Sequence, residues 1–320
     1  MKIFLSQMDD FIVGYLFALN AIFTWGIASL VYKFGLGKTE VKATLFFRLC
    51  CVSLGTFLFS LFFSTFQILS TLTDQQLVDA LIASSISGLS VTIGDIFYFS
   101  SLKKIDVSRA YPLTQLSLVF VYPLAFIFFG EEIKFSVLIG GALILSSVFL
   151  LSRKDKPEQT KNQEKVSSEA HSKDLIEGVL FALIAAFLWA VAYASFHQTR
   201  IITGDVFVSN FLRVIIATIC IGIYGLFQQE FFEAFKTENR STLKYYLYIG
   251  LAGALSLGLA DSFFIKAAEI NGLIITSTIT ASTPLVQQFL SIMILKEKFR
   301  KKFLIAVLLI IFGNYVILFL

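Results

Sequence analysis

The sequence predicts an all-α integral membrane protein, with ten transmembrane helices that form two inverted five-helix repeats. Three observations support this fold class. Of the 320 residues, 57% are hydrophobic and only 15% are charged, whereas an average soluble domain has roughly 25% charged residues. Apolar runs of about 20 residues, the length that crosses a bilayer, recur from end to end. The two halves of the chain also share one residue pattern, which is typical of repeat architectures.

Each apolar run is interpreted as one membrane-spanning helix. The first run follows two aspartates and is too long for the core of a signal peptide, so we expect it to be retained. The fifth run is the shortest. The ten predicted spans are 11–32, 43–63, 80–102, 110–129, 135–151, 175–194, 206–227, 245–267, 273–295 and 303–320.

A polar stretch separates the halves. Residues 153–174 contain six Lys or Arg, five Asp or Glu, one Pro and no aromatic residue, a composition that cannot bury enough apolar surface to offset the entropy of ordering. We predict a solvated linker here. The chain then divides into a first five-helix repeat at 1–152, the linker at 153–174, and a second repeat at 175–320.

Internal similarity is the strongest signal in the sequence. The segment 14–28 aligns with 178–192, including a Trp in each, and a constant offset of 166 aligns the halves without a gap from residue 95 of the first half onward. Chance similarity between two apolar segments would not align their rare charged residues. The distinctive aligned pairs are Trp25 and Trp189, Arg48 and Arg213, Asp95 and Asp261, Thr114 and Thr280, and Glu131 and Glu297.

Lys and Arg predict the orientation of these repeats. Five helices is an odd number, so the second repeat enters the membrane with the opposite orientation to the first. The connections 1–2, 3–4, 5–6, 7–8 and 9–10 hold 20 Lys or Arg, whereas the N-terminal tail, the other connections and the C-terminus hold about four, counting Lys266 at the end of the eighth span. Because cytoplasmic loops are enriched in these residues, we predict that both termini lie outside and that the linker lies in the cytoplasm.

These features resemble a known family, the EamA-type ten-helix transporters of the drug/metabolite transporter superfamily. The resemblance rests on the repeated helix with Trp25 and Trp189 and on a Leu-Gly-Glu-like turn, here Phe129-Gly130-Glu131 and Leu295-Lys296-Glu297. It implies a central cavity between the inverted halves, formed by helices 1, 3, 4, 6, 8 and 9. It also implies transport of amino acids, metabolites or drugs, often outward and coupled to an ion or proton gradient. The chain departs from the family pattern at Leu118, where a Pro is usual.

Two intramembrane acids are the leading functional candidates. Asp95 and Asp261 each lie about 20 Å along an apolar helix, where an acid normally faces a cavity or a partner. A carboxyl group at that depth could exchange protons, so coupled protons are an expected partner. Capping of a neighbouring helix is the competing structural interpretation.

Other polar and aromatic residues could line the same pathway. Arg48 and Arg213 could bind a substrate carboxylate, pair with an acid, or extend towards the membrane surface. Packing in the bilayer is the competing role for the two tryptophans. The full set predicted for the substrate pathway is Asn20, Trp25, Asp95, Tyr111, Gln115, Trp189, Asp261, Thr280 and Gln287, with Arg48 and Arg213 as charge partners.

The favoured function is secondary active transport of a small metabolite or amino acid, outward across the cytoplasmic membrane by alternating access. A passive channel or a non-transporting membrane subunit is the alternative. An intramembrane aspartyl protease is disfavoured because neither Asp follows a Gly-x-Gly element. We expect no enzyme activity, no cofactor, no metal and no nucleic acid partner. The expected partners are a small-molecule substrate and the lipid bilayer.

Overall fold

The computed structural model describes residues 2–105, 110, 113–152, 166–237, 239–295 and 301–319, and these are almost entirely helical. Short 3-10 helices, Thr65–Thr71 and Gln229–Phe232, lie in two of the connections. The main helices are α1 (Lys2–Leu36), α2 (Val41–Phe62), α3 (Asp74–Lys104), α4 (Ser117–Phe129), α5 (Phe135–Ser152), α6 (Val166–Thr203), α7 (Val206–Phe227), α8 (Arg240–Asn271), α9 (Leu273–Thr280), α10 (Thr283–Leu295) and α11 (Lys301–Phe319).

Seven helices in the described part of the chain are long and apolar enough to cross a membrane. They correspond to predicted spans 1, 2, 3, 6, 7, 8 and 10. The fourth, fifth and ninth predicted spans are shorter helices or are interrupted. Large apolar side chains such as Phe62, Phe128 and Phe227 are exposed on the outer surface, as expected for helices that face lipid.

The two interruptions occupy equivalent positions in the two halves. Turns at 115–116 and at 281–282 precede α4 and α10 respectively, and they are related by the sequence offset of 166. In the second half the break follows from Pro284, whose ring would clash with the carbonyl of residue 280 in a continuous helix. The first half has Leu118 instead, so Pro is not required for the break there. The prediction that 110–129 and 273–295 are each one continuous helix was therefore wrong.

The polar linker is shorter than predicted. Helix α6 begins at Val166, so the second half of the predicted linker is already helical. Residues 153–165 lie outside the described part of the chain. The helix extends into this polar segment because Ser, Glu, Ala and Lys are compatible with a helix exposed to water, and apolar character is needed only where the helix enters the membrane.

The halves interlock rather than lie side by side. Helix α1 of the first half packs along α8 of the second, and α6 of the second half packs along α3 of the first. Helix α2 packs against α7, and α5 packs against α11. Each first-half contact therefore has a counterpart in the second half, and the first helix of each half lies against the acid-bearing helix of the other.

A central cavity with two buried charge pairs

A narrow cavity lies between the two halves. It is lined by α1, α3, α4, α6, α8 and α9, with Arg48 entering from α2 and Gln115 from the turn before α4. Its volume is about 80 Å3, well below the roughly 300–1,000 Å3 of pockets that hold drug-sized ligands. In this conformation the cavity can accept only a very small molecule, and a larger one would require the halves to separate.

Arg48 and Asp95 form the first buried charge pair. Arg48 Nη2 donates to Asp95 Oδ2, and the two side chains are 2% and 5% exposed. Trp189 Nε1 donates to the other carboxylate oxygen, Oδ1, at 3.2 Å. The guanidinium also lies over the rings of Tyr32 and Phe99, with its Cζ 5.4 and 5.0 Å from their centroids. Both oxygens of Asp95 therefore have a donor.

Arg213 and Asp261 repeat this arrangement in the second half. Arg213 Nη2 donates to Asp261 Oδ2, with side chains 0% and 3% exposed. Trp25 Nε1 donates to Asp261 Oδ1 at 2.9 Å. The Arg213 Cζ lies 4.0 Å from the centroid of the Phe196 ring. The sequence alignment of the two halves thus corresponds to two chemically matching clusters.

The tryptophans connect the halves crosswise. Trp25 belongs to the first half but bonds the acid of the second, and Trp189 belongs to the second half but bonds the acid of the first. Each cluster consequently contains residues of both halves. These two hydrogen bonds therefore join the two halves.

Burial of both charge pairs has an energetic consequence. Neither arginine extends to the membrane surface, because both are almost fully buried beside an acid. Removing one member of a buried ion pair typically costs about 3–5 kcal/mol, since the remaining charge is left without compensation. The four residues therefore depend on one another, and loss of any single charge should destabilise the protein.

Helix α8 is deformed beside the second cluster. Its central segment, Ala254–Ala260, is π-helical, a geometry that is rare and often occurs at functional sites. The amide of Asn210 on α7 donates to the carbonyls of Leu257 (3.0 Å) and Gly258 (2.6 Å), and its Oδ1 accepts from Arg213 Nε at 2.8 Å. Asn210 thus joins the guanidinium to the deformed helix.

Aromatic rings and hydroxyl groups complete the cavity wall. The Tyr32 hydroxyl lies 2.6 Å from Ser256 Oγ. The ring centroids of Tyr193 and Phe264 are 4.6 Å apart, and both rings lie beside Trp25. These residues make the cavity apolar on its sides, and hydrogen-bonding groups are concentrated near the charge pairs.

A glycine allows Trp189 to reach its acid. A Cβ on Gly94 would lie 2.8 Å from Trp189 Cδ1 and 2.9 Å from its Nε1, closer than real Cβ contacts. The residue before Asp95 in the sequence must therefore be very small for the indole to lie against α3. In the second half Ala260 stands at the equivalent position, so the two clusters are not identical.

Glu131, from the predicted Leu-Gly-Glu-like turn, caps a helix of the other half. Its carboxylate accepts from the backbone N–H groups of Leu273 (2.6 Å) and Ile274 (2.8 Å) at the start of α9. An acid at a helix N-terminus satisfies free donors and interacts favourably with the helix dipole. Gly272, at φ 83°, provides the turn that precedes the helix. The equivalent Glu297 lies outside the described residues.

The structure brings most of the predicted pathway residues together. Two of the predicted residues lie elsewhere: Asn20 is exposed and donates to the carbonyl of Leu16 in its own helix, and Gln287 is buried away from the cavity. Tyr111 lies outside the described residues. The cavity lining includes Trp25, Arg48, Asp95, Gln115, Trp189, Asp261 and Thr280.

Several residues that the sequence interpretation missed also contribute. Tyr32, Tyr98, Tyr193 and Ser256 line the cavity, and Asn210 supports the second charge pair. Asn210 precedes Arg213 by three residues in an apolar helix, and a buried amide of this kind is a detectable sequence signal. The tyrosines carried no such signal, because aromatic residues are common throughout this chain.

The interlocked apolar helices around a central cavity define a multi-pass membrane protein. The chain matches the model of the EamA-like transporter family over residues 12–153 and again over 176–319. It belongs to that family.

Two individual proteins are similar to this chain. A protein of Archaeoglobus fulgidus, described as an uncharacterized transporter, is 23% identical over 305 residues, covering 95% of this chain and 97% of its own length. A crystal structure aligns with a TM-score of 0.68 at 13% identity over 95% of each chain, which supports the fold alone. The resemblance inferred from the sequence is thereby confirmed, and the protein is a membrane transporter in the general sense.

Proposed function

We propose that this protein is a secondary active transporter that exports a small metabolite or amino acid across the cytoplasmic membrane by alternating access. The observation that carries the proposal is the pair of crosswise clusters around one central cavity. Two equivalent contacts between two equivalent halves can be exchanged when one half rocks against the other. A single central site would then open to each side of the membrane in turn.

The arrangement of the acids argues against protease chemistry. An aspartyl protease needs two carboxyl groups that share a proton at close distance. Here each carboxylate is engaged by its own guanidinium and its own indole. The acids are therefore better suited to controlling contacts between the halves than to activating a water molecule.

We further propose that at least one of Asp95 and Asp261 couples proton movement to substrate movement. Protonation of either acid would remove the charge that holds its arginine and weaken the bond from the opposite tryptophan. Uptake of the proton on one side of the membrane and its release on the other side would then bias the rocking motion. The predicted residues that line the cavity are the site residues in this proposal, and Asn20 and Gln287 are left out because they lie elsewhere.

The first experiment identifies the substrate. Comparing metabolites in the medium and in cells, with and without the protein, should reveal a small molecule whose outward movement depends on it. Flux of that molecule into sealed proteoliposomes then separates the candidates, because a passive channel equilibrates it but cannot accumulate it. A purified protein that moves no compound found in this comparison would contradict the transporter proposal.

Substitution of the acids tests the coupling. Asp95→Asn and Asp261→Asn keep size and hydrogen bonding but cannot titrate. At least one of these variants should lose accumulation driven by a pH gradient and retain exchange at equal substrate concentrations. If both still accumulate substrate with unaltered pH dependence, the acids are structural and the coupling proposal is wrong.

Cavity residues without charge test the location of the site. Gln115→Ala and Thr280→Ala should each raise the KM for transport by several-fold, because each removes a hydrogen-bonding group from the cavity wall. Gln287→Ala is the matched control, since this side chain is buried away from the cavity. Unchanged KM in both cavity variants would place the site elsewhere.

A further inference from the structure

The two charge clusters match in sequence but differ in their surroundings. Arg48 borders the central cavity, whereas Arg213 does not. Each guanidinium leaves one buried nitrogen without a hydrogen-bond partner, Nε of Arg48 and Nη1 of Arg213. Arg48 therefore borders the cavity, but its free Nε is itself almost completely buried, so a molecule in the cavity would reach this donor only after the wall opens.

Arg213 is fixed by neighbours that Arg48 lacks. Its Nε donates to Asn210, and its Nη2 lies 3.4 Å from the carbonyl oxygen of Leu257 in the π-helical segment. Asn210 is in turn held by that segment and by Ser262 Oγ at 2.9 Å. These contacts form a network of buried polar groups in which Nη1 of Arg213 is left without a partner, and such a network is typical of a rigid structural anchor.

Among its described residues, the first half has no counterpart of this network. The offset that aligns Arg48 with Arg213 places Leu45 at the position of Asn210, and Leu45 is fully buried and apolar. The segment of α3 equivalent to the π-helix is an ordinary α-helix. Nothing in the described part of the chain accepts from Arg48 Nε.

An unsatisfied buried donor on a side chain that borders a cavity could be satisfied by a ligand. Leaving such a group without a partner costs about 1–3 kcal/mol, and an incoming acceptor would recover that cost. Arginine presents its donors as a planar fork that suits a carboxylate. The aromatic walls and the small volume restrict the remainder of the molecule to a few heavy atoms.

We propose that the two clusters have diverged: Arg48 binds the carboxylate of a small substrate through its free Nε, and Arg213 with Asp261 and Asn210 is a structural anchor. This inference rests on the proposed transport function and names the substrate class for it. Both repeat-equivalent acids line the cavity, and Asp95 is then the one that shares its arginine with bound substrate.

The same geometry links substrate to protons. A substrate carboxylate on Arg48 places two negative groups against one guanidinium, so substrate binding favours proton uptake by Asp95. The other charged or titratable groups around Asp95 are Tyr32 on α1, Arg213 on α7 and Asp261 on α8, with Tyr98 on its own helix. Among these, Arg213 and Asp261 already neutralise each other.

Two reciprocal substitutions test the divergence. Leu45→Asn gives Arg48 the amide that Arg213 has, and Asn210→Leu removes that amide from the second cluster. Acetate and L-alanine serve as carboxylate probes, with acetamide and L-alaninamide as counterparts of similar shape that lack the carboxylate. Binding is measured on the purified full-length protein as the shift in unfolding temperature with probe concentration at constant ionic strength.

The wild-type protein should be stabilised by at least one carboxylate and not by the matching amide. Leu45→Asn should weaken that apparent affinity at least tenfold, because Arg48 Nε is then occupied. Arg48→Lys should do the same, since an ammonium lacks the planar fork. Asn210→Leu should lower the unfolding temperature without probe and leave the apparent affinity unchanged.

Three results would overturn the inference. These are equal stabilisation by carboxylate and amide, no effect of any carboxylate probe on the wild-type protein, and loss of carboxylate affinity in Asn210→Leu with retention in Leu45→Asn. Leu45→Asn leaves Arg48 in place, so the test stands even if Arg48→Lys does not fold. A protein that binds acetate through Arg48 but moves no solute in proteoliposomes would contradict the transport proposal alone.

Discussion

The hydrogen bond from Trp25 to Asp261 can be tested by a double-mutant cycle. Trp25→Phe removes the indole N–H that lies 2.9 Å from the carboxylate and keeps an aromatic ring beside Tyr193 and Phe264. A hydrogen bond to a charged group contributes about 1.5–3 kcal/mol and a neutral one about 0.5–1.5 kcal/mol. Trp25→Phe should therefore cost about 1 kcal/mol more in the wild-type protein than in Asp261→Asn, where the acceptor is neutral.

The cycle is measured as the free energy of unfolding of the four proteins in mixed micelles. The ring area lost in Trp25→Phe is the same whether residue 261 is Asp or Asn. The effect of Asp261→Asn on Arg213 is the same whether residue 25 is Trp or Phe. Both terms therefore cancel in the cycle. The matched cycle with Trp189→Phe and Asp95→Asn should give a smaller coupling, because that bond is longer at 3.2 Å. Additive effects within about 0.5 kcal/mol in the first cycle would refute the crosswise contact.

Three further predictions concern other parts of the molecule. Gly94→Ala should displace Trp189 and destabilise the protein by about 1–3 kcal/mol, seen as a lower free energy of unfolding; an unchanged value would show that the indole does not lie against α3. Glu131→Gln should weaken the cap of α9 by about 1 kcal/mol, and hydrogen exchange of the amides at 273 and 274 should become faster; unaltered exchange would contradict the cap. Single cysteines at Ser168 and Leu320 should be labelled from the cytoplasm and from outside respectively, and labelling of position 168 only from outside would reverse the predicted topology.

Much of the fold could be predicted from the sequence because membrane helices and internal repeats leave long-range patterns. The alignment of the halves identified Asp95 and Asp261 as equivalent positions, and likewise Trp25 and Trp189. The same comparison aligned Arg48 with Arg213. The tryptophans, together with the Leu-Gly-Glu-like turn, carried the resemblance to the family, and that resemblance in turn implied a central cavity between the halves.

Other features depend on three-dimensional packing that no local pattern encodes. The break at 115–116 has no proline to mark it. The residue Asn20 is polar within an apolar helix, but its amide bonds a carbonyl one turn earlier, so polarity alone did not place it in the cavity. The partners of the acids were also not predictable, because hydrophobic periodicity does not say which tryptophan lies against which helix.

The crosswise tryptophans have a consequence for how such a chain could arise. A single five-helix unit with one Trp and one Arg–Asp pair cannot complete its own cluster, because its indole bonds the acid of the other unit. Only two units together satisfy both carboxylates. One unit alone would therefore need a second copy beside it to satisfy its carboxylate. In a single chain the two units need not stay identical, and Leu45 and Asn210, at one aligned position, already differ.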